Sequence, residues 1–117
     1  MRVILDTNFL IDCLRFKIDL SELAGNELFV TDSIVFETEK ITKRRAKESS
    51  LANLALEFIN GNKLKILESE GNTDDSLIKY SKKGYAIATN DRALKAKLKK
   101  AGAKLIYIRQ KRYLVEE

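Results

Sequence analysis

Met1–Asn8, MRVILDTN, opens the chain with a short apolar run, Val3-Ile4-Leu5, that stops abruptly at Asp6-Thr7-Asn8. Two of the three apolar residues are β-branched, which predicts a strand buried on both faces. The polar triplet after it suits the start of a helix. A carboxylate at the carboxyl end of a buried parallel strand sits where open α/β sheets place their ligands. An ordinary helix cap would use the same residues, so the rest of the chain has to separate the two.

Working outward, Asn8–Phe16 reads as a helix with Phe9, Leu10, Cys13 and Leu14 inward, and Ser21–Ala24 as a helical turn stopped by Gly25-Asn26. Leu28–Val30 is a second strand. Thr31, Asp32 and Ser33 offer caps for a helix from Ile34 to Arg45. Leu51, Leu54, Ala55, Phe58 and Ile59 keep the 3.6-residue spacing of a further amphipathic helix, closed by Asn60-Gly61. Leu64–Leu67 is a third strand. A helix over Asp74–Lys83 follows, with Gly84 as its stop. Ala86–Thr89 is a fourth strand that runs, like the first, straight into polar residues, Asn90-Asp91. A helix over Ala93–Lys100 and a strand over Leu105–Ile108 complete the pattern. Strands alternating with helices predict a parallel sheet covered by helices on both faces.

Composition bounds the chemistry. At 117 residues the chain makes one domain, 1–117, with a single core. The lone cysteine, Cys13, leaves no internal disulfide or cysteine zinc site and fits a reducing, cytoplasmic setting. No apolar run approaches a membrane span, so no membrane partner is expected. Histidine is absent, which removes Ser-His-Asp and Cys-His nucleophilic catalysis. Any enzyme built on this chain works with carboxylates, lysines, hydroxyls or an oxygen-bound metal. A net charge of +5 favours a polyanionic partner.

Carboxylates recur at equivalent places in this plan: Asp6 after the first strand, Asp91 after the fourth, Asp74-Asp75 at a helix start, and Glu37 one turn inside another helix. Strand carboxyl ends and the helix starts after them share one edge of a parallel sheet. Desolvated carboxylates gathered there repel one another unless a cation neutralises them. Hard oxygen donors suit Mg²⁺ or Mn²⁺, one ion or two, and such ions polarise phosphoryl groups without any histidine. Taken singly, Asp91 is also a good N-cap, Asp74 and Asp75 are favourable first-turn charges, and Glu37 and Glu39 suit a solvated helix face.

LDTN, the E-x-E helix, DDSLI and ATNDRALK together resemble the PIN-domain nucleases, in particular the small-subunit pre-rRNA endonuclease branch and the VapC-type toxins. The likeness runs through nearly the whole chain and is densest over Asp74–Tyr113. It implies a three-layer α/β/α sandwich with a central parallel sheet. It also implies metal-dependent hydrolysis of RNA phosphodiesters, with Asp6, Glu37, Asp75 and Asp91 as catalytic and metal-binding acids. Asp75 is preferred to Asp74 because Asp75-Ser76-Leu77-Ile78 follows the family pattern of Asp, small residue and two apolars. Asp74, Asn8 and Thr89 fall in supporting places. Glu37-Thr38 departs from the usual Glu-Leu, which keeps Glu39 as a rival to Glu37.

The implied partner is RNA, single-stranded or a structured rRNA or tRNA, with an antitoxin, a ribosome-assembly factor or a second copy as protein partner. Arg44, Arg45, Arg92, Arg109, Arg112 and Tyr113 are the candidates for gripping it. The run Lys95–Lys100 reads more simply as a solvated helix face. Two rival functions stand beside the nuclease: a PIN module that only binds RNA or protein, and a haloacid-dehalogenase-like phosphatase. The second of these wants an acid where this chain has Asn8.

Overall fold

The structure, a computed structural model, describes residues 1–44 and 46–117; Arg45 lies outside the described residues. Six strands form one sheet: β1 (Arg2–Leu5), β2 (Glu27–Thr31), β3 (Lys65–Leu67), β4 (Ala86–Ala88), β5 (Leu105–Arg109) and β6 (Tyr113–Glu116). The helices are α1 (Thr7–Arg15), α2 (Asp32–Ile41), α3 (Ala46–Gly61), α4 (Thr73–Ser81) and α5 (Arg92–Lys100), with a 3-10 turn at Leu20–Leu23. The sheet order is β3-β2-β1-β4-β5-β6.

β1 to β5 are parallel, as the alternation of elements requires, and only β6 runs against its neighbour. That edge strand adds one antiparallel ladder to the expected central parallel sheet. It escaped the sequence because YLVE is short, flanked by charge and preceded by no glycine or asparagine turn signal. The turn into it places Gln110 and Lys111 at positive φ, 55° and 56°, and the Arg112 N–H returns to the Arg109 carbonyl at 3.1 Å. Two residues with side chains thus take the left-handed backbone that a hairpin of this kind normally assigns to Asn-Gly.

The chain moves from β1 outward to β2 and β3, then returns to the far side of β1 with β4 and β5. Right-handed crossovers send the helices of the first half to one face and those of the second half to the other. The packing agrees, since α1, α2 and α3 contact one another and α4 contacts α5. The result is three layers, with the order reversing between β1 and β4. At such a reversal two crossovers diverge and leave a crevice at the strand carboxyl ends. Asp6 and Asp91 follow those two strands.

Val3, Ile4, Leu5 and Ile87 are fully buried in the sheet, under Phe9, Leu10 and Ile34 on one side and Leu77, Leu94 and Leu98 on the other. Cys13 belongs to this core, and burial, aided by nearby Asp12 and Glu22, pushes its thiol up to about 12. No helix among the described residues is long and apolar enough to cross a membrane.

Candidate active site

Asp6 ends its strand and begins its helix in one residue. Its backbone N–H bonds the Ala88 carbonyl at 2.9 Å, which keeps it in register with β4. Its Oδ1 accepts from the Thr7 N–H at 2.9 Å, and its Oδ2 accepts from the Thr89 hydroxyl at 2.8 Å. Only 7% of the residue is exposed. Burial is the main reason that its acidity falls, to a pKa of about 6; the Thr89 and Thr7 hydrogen bonds oppose this, and the negative charges of Glu37 and Asp74 add to it.

Thr89 ties the two strand-end aspartates together. While donating to Asp6, its hydroxyl accepts from the Asp91 N–H at 3.2 Å. Asp91 in turn caps α5 through Oδ1 on the Leu94 N–H at 3.0 Å. Asn8, on the first turn of α1, accepts from the Asn90 N–H at 3.1 Å. One hydroxyl and one amide therefore hold the loop after β4 against the start of α1. The Asp91 cap engages Oδ1 alone, so capping does not use both oxygens of that carboxylate.

Asp6, Glu37, Asp74 and Asp91 line one cavity of about 380 Å³, together with Asn8 and Thr73. Asp75 is not on its wall. It is exposed, and its Cβ stands 3.6 Å from where a Cβ on Gly71 would lie. The cavity takes in Asp74 in place of the expected Asp75: Asn72 caps α4 on the Asp75 N–H at 2.8 Å, and that phase turns Asp74 inward. Adjacent helical residues point about 100° apart, so only one of the pair can face the crevice. Burial raises the Asp74 pKa first, then the charge of Asp91; Lys97 opposes the rise and Glu37 adds to it. Glu37 rather than Glu39 faces the cavity, with Oε1 accepting from the Thr73 hydroxyl at 2.7 Å.

Thr73, Asp12 and Arg15 share this wall and were not singled out from the sequence. Asp12 pairs with Arg15 at 2.7 Å and accepts from Asn90 Nδ2 at 3.0 Å. Asn8, Asp12 and Arg15 stand four and three residues apart on α1, a one-face spacing legible once the helix is drawn. Of the expected RNA-contacting residues, Arg44 lines the acidic cavity itself. Arg92 starts α5, while Arg109, Arg112 and Tyr113 flank the β5–β6 turn. None of those four is on the cavity wall. They stand at the same sheet edge, because β5 runs parallel to β4 and β4 to β1.

Among the described residues no three acidic, cysteine or histidine side chains converge into a ready coordination shell. The donor set nonetheless fits a hard divalent cation: four carboxylates share a single cavity, and burial together with neighbouring negative charge raises the pKa of two of them, Asp6 and Asp74. Asp6, Asp74 and Asp91, with Glu37, are the residues that would hold it.

Residues 3–111 match the model of the family described as PIN like domain, and the chain belongs to that family. It is similar to Ribonuclease VapC4 of Methanocaldococcus jannaschii, 33% identical over 123 residues that cover 96% of this chain and 93% of that protein. It is equally similar to Ribonuclease VapC9 of Archaeoglobus fulgidus, 33% identical over 120 residues covering 97% and 87%. The structure of the PIN domain endonuclease Utp24 superposes with a TM-score of 0.80 at 26% identity, over 99% of this chain and 90% of that one. A domain from M. jannaschii, at 17% identity and a TM-score of 0.67, shares the fold. The chain is thus a PIN-family nuclease, a hydrolase, and the phosphatase reading is set aside.

Proposed function

We propose that this protein is an endoribonuclease that depends on Mg²⁺ or Mn²⁺ and cuts RNA phosphodiester bonds at the Asp6 cavity. The observation that carries the reading is the gathering of Asp6, Glu37, Asp74 and Asp91 on one cavity wall, with Asp6 buried and reluctant to ionise. A bound divalent ion would supply charge stabilisation of the phosphoryl group. The rest is the chain's own work. Thr89 and the Thr7 N–H each hold one oxygen of the Asp6 carboxylate and so fix it on the cavity wall. Thr73 orients Glu37 in the same way. Arg44 and Arg15 bring positive charge to the rim, where a polyanion approaches.

The ribonuclease relatives and the charge of +5 support RNA as the substrate. We read its role as that of a toxin paired with an antitoxin, a reading that the VapC-named relatives support over one in rRNA processing, and a cytoplasmic setting is part of the proposal. A labelled RNA oligonucleotide should be cut internally with Mg²⁺ or Mn²⁺ and left intact with EDTA. Cleavage indifferent to EDTA would refute the metal dependence. An inert wild type that still binds RNA would favour the binding-module reading.

A further inference from the structure

Next to the acidic cavity, along α5, a second site is built around Tyr107. Arg92, Lys95 and Lys99 stand three and four residues apart on α5 and, with Tyr107, line a cavity of about 270 Å³. The Lys95 ammonium lies 4.2 Å from the Tyr107 ring centroid, and Lys95 is half-buried against it. Arg109, from β5, donates to the Tyr107 hydroxyl at 2.8 Å and lies 5.6 Å from the same ring. A merely solvated charged face does not draw cations from two elements onto one aromatic ring. The ring face and hydroxyl attract these cations, while their like charges repel one another and favour an anion among them.

An anion does sit there. The Glu117 carboxylate takes Lys99 Nζ at 3.2 Å. The hydrogen bond from Lys99 depresses its pKa most, with smaller contributions from the Tyr107 hydroxyl and the charge of Arg109. Arg109 gives to the Tyr107 oxygen, which leaves the phenolic O–H available to an acceptor of its own. Glu117 pairs with Lys99 and feels the charge of Arg109, while Arg92 and Lys95 line the same cavity, so the site retains excess positive charge. Arg92 directly follows Asp91, so this site begins where the acidic cavity ends and runs roughly 10 Å along α5.

We propose that Lys95, Lys99, Arg109 and Tyr107, with Arg92 at the active-site end, form a subsite for a backbone phosphate of the RNA, occupied in the free protein by the Glu117 carboxylate. Substrate then exchanges one oxyanion for another on the same donors, and Glu117 tempers affinity for RNA. The inference rests on the ribonuclease reading and names where the strand leaves the cavity.

The test is fluorescence anisotropy of a labelled single-stranded RNA oligonucleotide at several salt concentrations, with every protein carrying Asp6→Asn to prevent cleavage. Lys95→Gln with Arg109→Gln should weaken binding about tenfold and flatten the salt dependence by roughly 0.7 for each phosphate no longer neutralised. Glu117→Gln should tighten binding about two- to tenfold, because the competing charge is gone. Lys100→Gln with Lys104→Gln, at the opposite end of α5, removes the same charge and should leave the slope nearly as it was. Melting temperatures of all variants confirm folding.

An unaltered slope in the Lys95/Arg109 pair, equal loss in the control pair, or equal or weaker binding by Glu117→Gln overturns the subsite. Cleavage of the same oligonucleotide by the unmodified chain separates the two levels. Normal Mg²⁺-dependent cleavage with unaltered slopes removes the subsite alone. Absence of both cleavage and binding removes the ribonuclease reading, and the subsite with it.

Discussion

Asp6 in the folded, metal-free chain keeps a proton that the unfolded chain would release, since burial moves its pKa from 3.8 to about 6. The native state therefore binds more protons between those values, and stability falls as pH rises through them. This contribution is full below about pH 3.8 and lost above about pH 6, a change on the order of 3 kcal/mol at most. Asp6→Asn removes it. In EDTA at pH 7 the variant should melt higher than wild type, and its melting temperature should vary less from pH 4 to 7, as followed by circular dichroism. Its cleavage should drop by ~10²-fold or more. A variant that melts lower at pH 7 would mean that the buried charge is compensated.

Neighbouring acids give a sharper comparison at the same scale. Asp74→Asn should abolish most cleavage, whereas Asp75→Asn should stay within a few-fold of wild type, because only Asp74 faces the cavity. Glu37→Gln should cost more than Glu39→Gln for the same reason, with initial rates on one RNA deciding both pairs. Equal losses within a pair would mean that the helix turns further than the structure shows.

At the level of elements, the β5–β6 hairpin carries identifiable strain. Gln110 and Lys111 both occupy the left-handed region without being glycine or asparagine, a conformation disfavoured for ordinary side chains by roughly 1 kcal/mol each. Gln110→Asn with Lys111→Gly should stabilise the protein by about 1 kcal/mol, visible as a shift in the urea midpoint with an unchanged slope. Removing the Lys111 ammonium from the Phe16 ring, 5.7 Å away, is too weak an effect to offset this. A midpoint that falls would show that the native turn is held by its side chains rather than against them.

For the molecule as a whole, the acids of four elements behave as one site only if they respond together. Titrating Mg²⁺ or Mn²⁺ into the metal-free protein near pH 6 should release protons, because Asp6 and Asp74 hold them more tightly than isolated carboxylates do. It should also raise the melting temperature by linkage. Calorimetry in two buffers of different ionisation enthalpy measures the protons directly. Neither proton release nor a melting shift at millimolar metal would mean that the carboxylates titrate independently.

Much of this was legible along the chain. The apolar run Val3-Ile4-Leu5 ending in Asp6, and the run Ala86–Ala88 ending in Thr89-Asn90-Asp91, carry both the strand and the cavity-lining acid within a few consecutive residues, so local pattern suffices. The same holds for the core role of Cys13 and for the shared edge, which follows from parallel strands alone. Tertiary structure decided what depends on angle and on partners far away in sequence. Whether Asp74 or Asp75 faces the crevice is a matter of helix phase, set here by the Asn72 cap. The antiparallel β6 lacks a local turn signal and exists because β5 offers it a ladder. The cations around Tyr107 acquire a common centre only when α5 packs on β5, since periodicity orders residues on one element and packing alone joins two.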